Sequence, residues 1–333
     1  MREPADPGAG RPLVSMLLIA YQQQATVEQA IRGALKQSYS PLEILISDDA
    51  STDGTWAAIE RAVAGYSGPH RLLLNRNAEN LGIGGHISQL VGLSHGELLF
   101  VAAGDDISLP QRCERVVEAW LAENCGPDLI SSNLIDIDEH GNPHGQITPT
   151  DLCTYRNAAD WLAQPPYVVG AAQAWTRRVY DRFGPLPAGA IGEDLLMVFR
   201  AVMSGGAITL AEPLVQYRRG GVSRRRRTFS AADATRRLLK NNRSALVELA
   251  QLLADARTAG QLGAVEAALT ARLAREQFIR DMFAARSVGQ KIARTWRERN
   301  SALSTRARVF VYAACPGLMA PFFALKRLLA RGR

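Results

Sequence analysis

Cysteine is scarce in this chain of 333 residues: four, at positions 113, 125, 153 and 315, with no Cys-x-x-Cys pair among them. That spacing excludes a zinc knuckle and a disulfide framework and fits a reducing compartment. The N-terminal residues 1–11 contain no apolar core, so no secretory leader is expected; rich in Pro, Gly and charge, they read as a disordered leader. A clear bilayer-spanning run is missing too. The nearest candidate, VFVYAACPGLMAPFFAL at 309–325, has 17 residues and is interrupted by Pro316 and Pro321. No Gly-x-Gly-x-x-Gly turn follows the first strand-like run, where Tyr21-Gln22-Gln23-Gln24 stands. That argues against a dinucleotide-dependent oxidoreductase.

What is present is a globular composition, 47% hydrophobic and 21% charged, with a net charge of +7 that hides a split. Residues 224–333 hold 23 Lys and Arg against 7 Asp and Glu, a net +16; the first 223 hold 16 against 25, a net −9. An acidic part joined to a basic part suggests a tail that meets an anionic surface, although solvated Arg faces on helices would give the same balance.

Along the acidic part, short apolar runs alternate with helical periodicity. LVSMLLIA (13–20), LEILIS (42–47), RLLLN (71–75) and ELLFVA (97–102) read as strands. Helices are expected over 26–37, from near Thr55, from the Asn80–Gly85 loop to Leu93, and over 111–121 behind Pro110. Such alternation predicts an α/β fold with a mostly parallel central sheet and helices on both faces. The middle is more mixed. Strands are expected at 129–138, 167–176, 208–211 and 214–218, a hairpin turn at 139–142, and a helix behind Gly192-Glu193-Asp194. Beyond Arg224–Arg227 the chain reads as helices only.

Ligands of such sheets bind beyond the carboxyl ends of the strands. Tyr21, Asp48, Asp49, Asp105 and Asp106 all fall there. A carboxylate at 48 or 49 could accept from the imide N–H of uracil or thymine, or from a ribose hydroxyl, while Tyr21 stacks on the base. Asp-rich turns also serve simply as helix caps. Asp105-Asp106 offers two hard oxygen ligands behind Gly104, suited to Mg²⁺ or Mn²⁺ held jointly with substrate phosphates. Glu193-Asp194 at a helix start could take a proton from an acceptor hydroxyl, or merely complement the helix dipole.

Taken in order, SDDASTDGT, NLGIGG, GDD, GED with a following helix, and PLVQYR resemble family 2 of the inverting glycosyltransferases over residues 12–223. The resemblance implies a GT-A (nucleotide-diphospho-sugar transferase) fold for 12–223; by its charge, helical pattern and 309–325 run, 224–333 is expected to be a helical, basic, membrane-associating C-terminal extension. It implies that Ala20, Tyr21, Asp48, Asp49, Gly84, Asp105, Asp106 and Arg218 hold the nucleotide-sugar, with Asp105 on a divalent cation. Asp194 would be the base, with Glu193 beside it orienting the acceptor. Implied partners are a UDP- or dTDP-sugar donor and a glycan or lipid-linked acceptor, at the inner face of a cell membrane in polysaccharide or lipid-linked glycan synthesis. Nucleic acid is not among them, since nothing resembles a nucleic-acid module; a homo-oligomer is compatible with the sequence. The chain departs from the pattern in two places. Ala103 stands where members often carry the first Asp of Asp-x-Asp, and Tyr217-Arg218-Arg219-Gly220 lacks the His of many relatives. Both departures motivate the alternative of a non-catalytic nucleotide-sugar-binding scaffold. The positive charge of Arg218, Arg219 or Arg224–Arg227 could replace that His at the diphosphate. His86 beside the NLGIGG loop reads as structural rather than as a ligand contact.

Overall fold

The computed structural model describes residues 10–218 and 230–319. Most of the expected leader, Arg219, the Arg224–Arg227 run, the proposed 223/224 boundary and residues 320–325 of the apolar run lie outside the described residues. The chain divides into two units, Met1–Arg224 with Asp255–Gln261, and Arg225–Ala254 with Leu262–Arg333.

In the first unit β1 (Val14–Ala20), α1 (Val27–Leu35), β2 (Leu42–Asp48), α2 (Thr55–Val63), β3 (Arg71–Arg76), α3 (Gly82–Leu93) and β4 (Leu98–Ala103) alternate as expected. β1 pairs in parallel with both β2 and β4, and β2 with β3. β1, β2 and β4 are buried along almost their whole length. Strands covered on both faces read as continuous apolar runs rather than alternation, which is why these were legible. Val14, Met16 and Leu18 of β1 pack with Ala30 and Ile31 of α1 and Ile59 of α2 on one face, while α3 covers the other.

The rest of the sheet follows as β5 (Ile107–Ser108), α4 (Arg112–Ala122), β6 (Leu129–Ile137), β7 (Pro143–Ile147), α5 (Ala158–Ala163), β8 (Ala174–Thr176), α6 (Arg177–Phe183), α7 (Glu193–Val202) and β9 (Ala207–Arg218). The strand order is β3-β2-β1-β4-β8-β6-β9-β5, with β7 paired to β6 across the expected hairpin. β8 is antiparallel to both β4 and β6, whereas β6 and β9 run parallel.

Three expectations need correction. The strand expected over 167–176 shrinks to Ala174–Thr176. Before it, the small residues Gly170–Ala172 form a 3₁₀ turn, closed by Ala172 N–H to Val169 O at 3.0 Å and Gln173 N–H to Gly170 O at 2.9 Å. The two strands expected at 208–211 and 214–218 are one, β9. Pro213 has no N–H to give the ladder, and the pairing slips there, from Ser132 opposite Leu210 to Asn133 opposite Pro213. α3 begins inside the expected loop, at Gly82, whose φ of 70° suits glycine. α2 starts at Thr55, but its N-cap Gly54 has no side chain. The polar turn before it serves as the cap, with Asp53 Oδ1 accepting the Thr55 amide at 3.0 Å. The two-residue β5 was not anticipated.

Asp255–Gln261, the last turn of α8 (Ala231–Thr258) and the residues just after it, belongs to the first unit. There Arg200 of α7, fully buried, donates from Nε to Asp255 Oδ2 at 2.7 Å and from Nη1 to Gly184 O at 2.8 Å. Gln261 Oε1 accepts the Ala158 amide at 2.9 Å.

The second unit contains the remainder of α8 and α9 (Leu262–Ala284), α10 (Val288–Arg297) and α11 (Leu303–Ala314). Phe278, Ile279 and Met282 of α9 pack with Val309 of α11, flanked by Leu238, Phe310 and Ala313. Val309, the first residue of the 309–325 run, is thus buried, whereas Cys315–Leu318 are exposed. Among the described residues no helix is long and apolar enough to cross a membrane.

Candidate active site

The carboxyl ends of β1, β2 and β4 meet at one edge of the sheet, and the turns leaving them are laced together. Asp49 N–H donates to Ala20 O, and Gly104 N–H to Ile19 O, both at 2.9 Å. Thr26 Oγ1 donates to Gly104 O at 2.9 Å. A Cβ on Gly104 would meet Gln23 Oε1 and lie 3.0 Å from Ala20 Cβ, so glycine eases the close approach of these turns. Gln22 and Ala50 sit at φ 56° and 57°, left-handed non-glycine residues in adjoining turns, and Gln22 N–H donates to Ser51 Oγ at 2.9 Å. Tyr21, 48% exposed, is the open aromatic of this edge.

The Asp48-Asp49 pair is occupied. Asp49 Oδ1 accepts from Asn77 Nδ2 at 2.7 Å and Leu81 N–H at 2.9 Å, and Oδ2 accepts Gly82 N–H at 3.0 Å. Asp48 accepts the Ser51 amide at 3.2 Å and pairs with Arg76 Nε at 3.3 Å. Both side chains are buried. These contacts fix the turn and anchor the start of α3. His86 is buried on Ser47 Oγ at 2.6 Å, with burial holding its pKa below the ordinary value against the pull of Asp49 and Asp48. It is a neutral structural histidine. Gly84 serves close packing: a Cβ there would lie 3.0 Å from Pro187 O, in the loop that leads to α7.

The Asp105-Asp106 pair is different. Burial pushes the Asp105 carboxyl up, with its own backbone amide, the Arg218 charge and a hydrogen bond from Gln23 pulling it back. Burial, then the neighbouring Asp105 charge, pushes Asp106 far above the carboxylate range. Asp106 Oδ1 accepts the Arg218 amide at 2.8 Å. The Arg218 guanidinium does not present a free fork to phosphate, as expected from sequence. Nε donates to Asp105 O at 3.0 Å, Nη1 to Asp138 O and Glu139 O at 3.0 and 2.8 Å, and Nη2 to Gln29 Oε1 at 2.7 Å. Its contribution is a nearby positive charge and a clamp on the acidic turn.

A second cation, missed in the sequence, lies beneath. Arg112 is 1% exposed and its pKa falls to about 10 through burial, offset in part by the charges of Cys113 and Asp106. Nη1 donates to Ser108 Oγ at 2.9 Å; Nη2 donates to Val101 O at 2.9 Å and Gln173 O at 3.2 Å. Gln173 was missed as well, because it lay in the misread 167–176 run. Its carbonyl also accepts Val101 N–H at 3.2 Å, and its side chain donates to Asp194 O at 3.3 Å while accepting from Trp175 Nε1 at 2.8 Å. Gln173 thus ties β4, which carries the acidic turn, to the first turn of α7, which carries Glu193 and Asp194. A Cβ on Gly170 would approach Glu193 Oε1 to 2.9 Å and Asp194 Cβ to 3.5 Å, so Gly170 gives these two acids their seat. Asp194 Oδ1 accepts the Leu195 amide at 2.8 Å.

The residues fit a divalent cation in a limited way. Two carboxylates in one desolvated turn, both raised by burial and Asp106 also by the Asp105 charge, are relieved by a cation, and Mg²⁺ is typically held by one or two carboxylates plus substrate phosphates. Among the described residues no group of three or more His, Cys, Asp and Glu side chains could hold a metal on its own.

Comparison with known proteins points the same way. The family model described as glycosyl transferase family 2 matches residues 15–182. Bacillus subtilis EpsE is 30% identical over 139 residues, 42% of this chain and 49% of EpsE. The succinoglycan biosynthesis protein ExoO of Rhizobium meliloti is 26% identical over 231 residues, 64% of this chain and 63% of its own length. The chain thus spans about half to two thirds of these two relatives. Among solved structures, Staphylococcus aureus TarS 1–349 in complex with UDP-GlcNAc superposes with a TM-score of 0.53 at 13% identity, covering 92% of this chain and 90% of that one. The mannosyltransferase PcManGT of Pyrobaculum calidifontis, in complex with GDP-Man and Mn²⁺, gives a TM-score of 0.53 at 17% identity, covering 93% and 87%. These likenesses share the GT-A fold.

Proposed function

The chain belongs to glycosyl transferase family 2, and we propose that it moves a sugar from a nucleoside-diphosphate donor onto an acceptor hydroxyl with inversion at the anomeric carbon. The observation that carries this reading is the Gln173 junction, which joins a desolvated Asp105-Asp106 turn to the Glu193-Asp194 pair. One acidic group serves the diphosphate end and the other the acceptor end of a single displacement.

In that displacement the acceptor oxygen forms its bond to the anomeric carbon as the bond from that carbon to the diphosphate oxygen breaks. Asp194 takes the hydroxyl proton, and the nucleoside diphosphate leaves with the electron pair. Glu193 orients the acceptor. Tyr21, exposed at the end of β1, offers a ring on which the base stacks. Asp105 would hold Mg²⁺ or Mn²⁺ with the donor phosphates, and such a cation would offset charge growing on the leaving group. Asp106, kept in place by the Arg218 amide, supports the donor side. A pyrimidine donor, UDP- or dTDP-linked, fits the sequence reading; the UDP-GlcNAc and GDP-Man of the structural neighbours widen the donors worth testing. The similarity to ExoO and the basic C-terminal part support a role in polysaccharide or lipid-linked glycan synthesis at the cytoplasmic face of a membrane.

The test begins with thermal-shift screening of nucleoside-diphosphate sugars with and without Mn²⁺, since ligand binding raises apparent stability. With the donor in hand, Asp194→Asn is expected to lower turnover by about 10²- to 10⁴-fold with donor affinity retained. Equal loss of binding and turnover removes Asp194 from the base role. Absence of transfer by the wild-type chain with every donor it binds favours the scaffold alternative.

A further inference from the structure

α10 is built inside out. Val288, Ile292 and Trp296 recur at every fourth position and so share one face; they are 54%, 45% and 75% exposed. The flank that meets α9 and α11 is the polar one. Lys291 Nζ donates to Ala313 O at 2.6 Å, Arg294 donates to Asp281 O, and Thr295 Oγ1 lies 3.8 Å from Met282 Sδ. A surface helix of a globular protein does the reverse, turning its apolar stripe to the interior. Leu303, 69% exposed at the start of α11, adds to the uncovered apolar surface of the second unit.

We infer that α10 is a membrane-docking helix that lies in the plane of an anionic bilayer surface, with Val288, Ile292 and Trp296 at the acyl boundary. Charge selects this occupant. Residues 286–308 hold seven Lys and Arg against one acid, Glu298. Arg286, Arg297, Arg299 and Arg308 are exposed around the stripe. Basic side chains beside an apolar, Trp-bearing face are the make-up of interfacial helices, and each one near an anionic leaflet adds attraction. A second copy of this chain is a poorer occupant, because it would bring two strongly basic segments together. Three side chains also fall far short of the roughly 800 Å² per partner of a standard protein interface. In-plane docking further agrees with the lack, among the described residues, of a helix able to span a bilayer. This inference names the docking element within the membrane-facing part of the proposed function, and it rests on that reading only for its purpose.

The experiment uses the full chain with vesicles of phosphatidylcholine alone and of phosphatidylcholine mixed with phosphatidylglycerol, read by co-sedimentation and tryptophan emission. Wild type is expected to partition onto the anionic vesicles, less so as salt is raised, with a blue shift that brominated lipid quenches. The triple variant Val288→Ser, Ile292→Ser, Trp296→Ser is expected to partition about tenfold or more weakly. Its exposed sites predict an unchanged thermal melt, and its transfer to a soluble acceptor should equal that of wild type. Undiminished binding by a folded triple variant overturns the proposal, as does wild-type binding indifferent to lipid charge. A wild-type dimer in light scattering that the triple variant makes monomeric also overturns it, by giving the stripe to a second copy. Loss of docking with transfer intact leaves the transferase reading standing; docking without transfer does the opposite.

Discussion

Two Asp-Asp pairs leave neighbouring parallel strands at the same edge of one sheet, and they are in opposite electrostatic situations. Asp48-Asp49 after β2 is saturated: two backbone amides at α3, the Asn77 amide, the Ser51 amide and Arg76 satisfy it. Asp105-Asp106 after β4 is short of cations. Arg218 and Arg112 lie close, but their guanidinium donors go mainly to carbonyls; burial pushes the proton affinity of both acids up, and the Asp105 charge adds to the rise at Asp106. A dipeptide motif therefore says where carboxylates stand, not whether they are spent. The unspent pair is the one with something left to offer a cation and a diphosphate.

The comparison breaks most visibly at Asp105. Asp105→Asn is expected to lower transfer by about 10²-fold or more while the thermal melt holds or rises, because it removes one of two repelling buried charges. A large drop in melting temperature would place Asp105 with the saturated kind. Next in size, Asp49→Ala removes the acceptor for three donors and should cost about 1–3 kcal/mol. For a unit of this size that is a fall of very roughly 2–4 °C per kcal/mol, with transfer per folded molecule largely kept. Equal loss of activity by the folded variant would return Asp49 to the donor pocket.

A third carboxylate sharpens the distinction with the smallest effect. Asp128 is buried, yet its pKa lies below the usual value. Desolvation raises it, but hydrogen bonds from Ser204, Thr176, the Gly205 amide and Arg178 outweigh that. A folded pKa below the unfolded one adds stability above the unfolded value, and that stability is lost as pH falls through the folded value. Asp128→Asn should thus melt below wild type at pH 7, and the gap should close as pH drops beneath about 4. A gap that widens in acid would reverse the assignment. Equilibrium melts across pH read it directly.

β1, β2 and β4 could be read from the sequence because strands buried on both faces are written as largely apolar runs, as in LVSMLLIA and LEILIS. The acidic turns followed from their position at strand ends. The second half resisted. Gly170-Ala171-Ala172 looks like a weak strand and folds as a tight turn, and Pro213 looks like a break and is a slip within β9. Arg112 and Gln173 left no signal because their work is done through carbonyls on other elements, and sequence spacing carries no record of such contacts. The spacing of α10 shows an amphipathic helix. Which side it turns outward is a tertiary fact.

The buried Arg200 on α7 has its counter-ion about fifty residues downstream, at Asp255. Sequence reasoning drew a border near 223, yet the fold reaches across it to borrow a carboxylate. The basic portion of the chain is consequently not a detachable accessory. An exchange of tails between relatives would have to bring an acid to that spot, or leave the helix bearing Asp194 leaning on an unanswered charge.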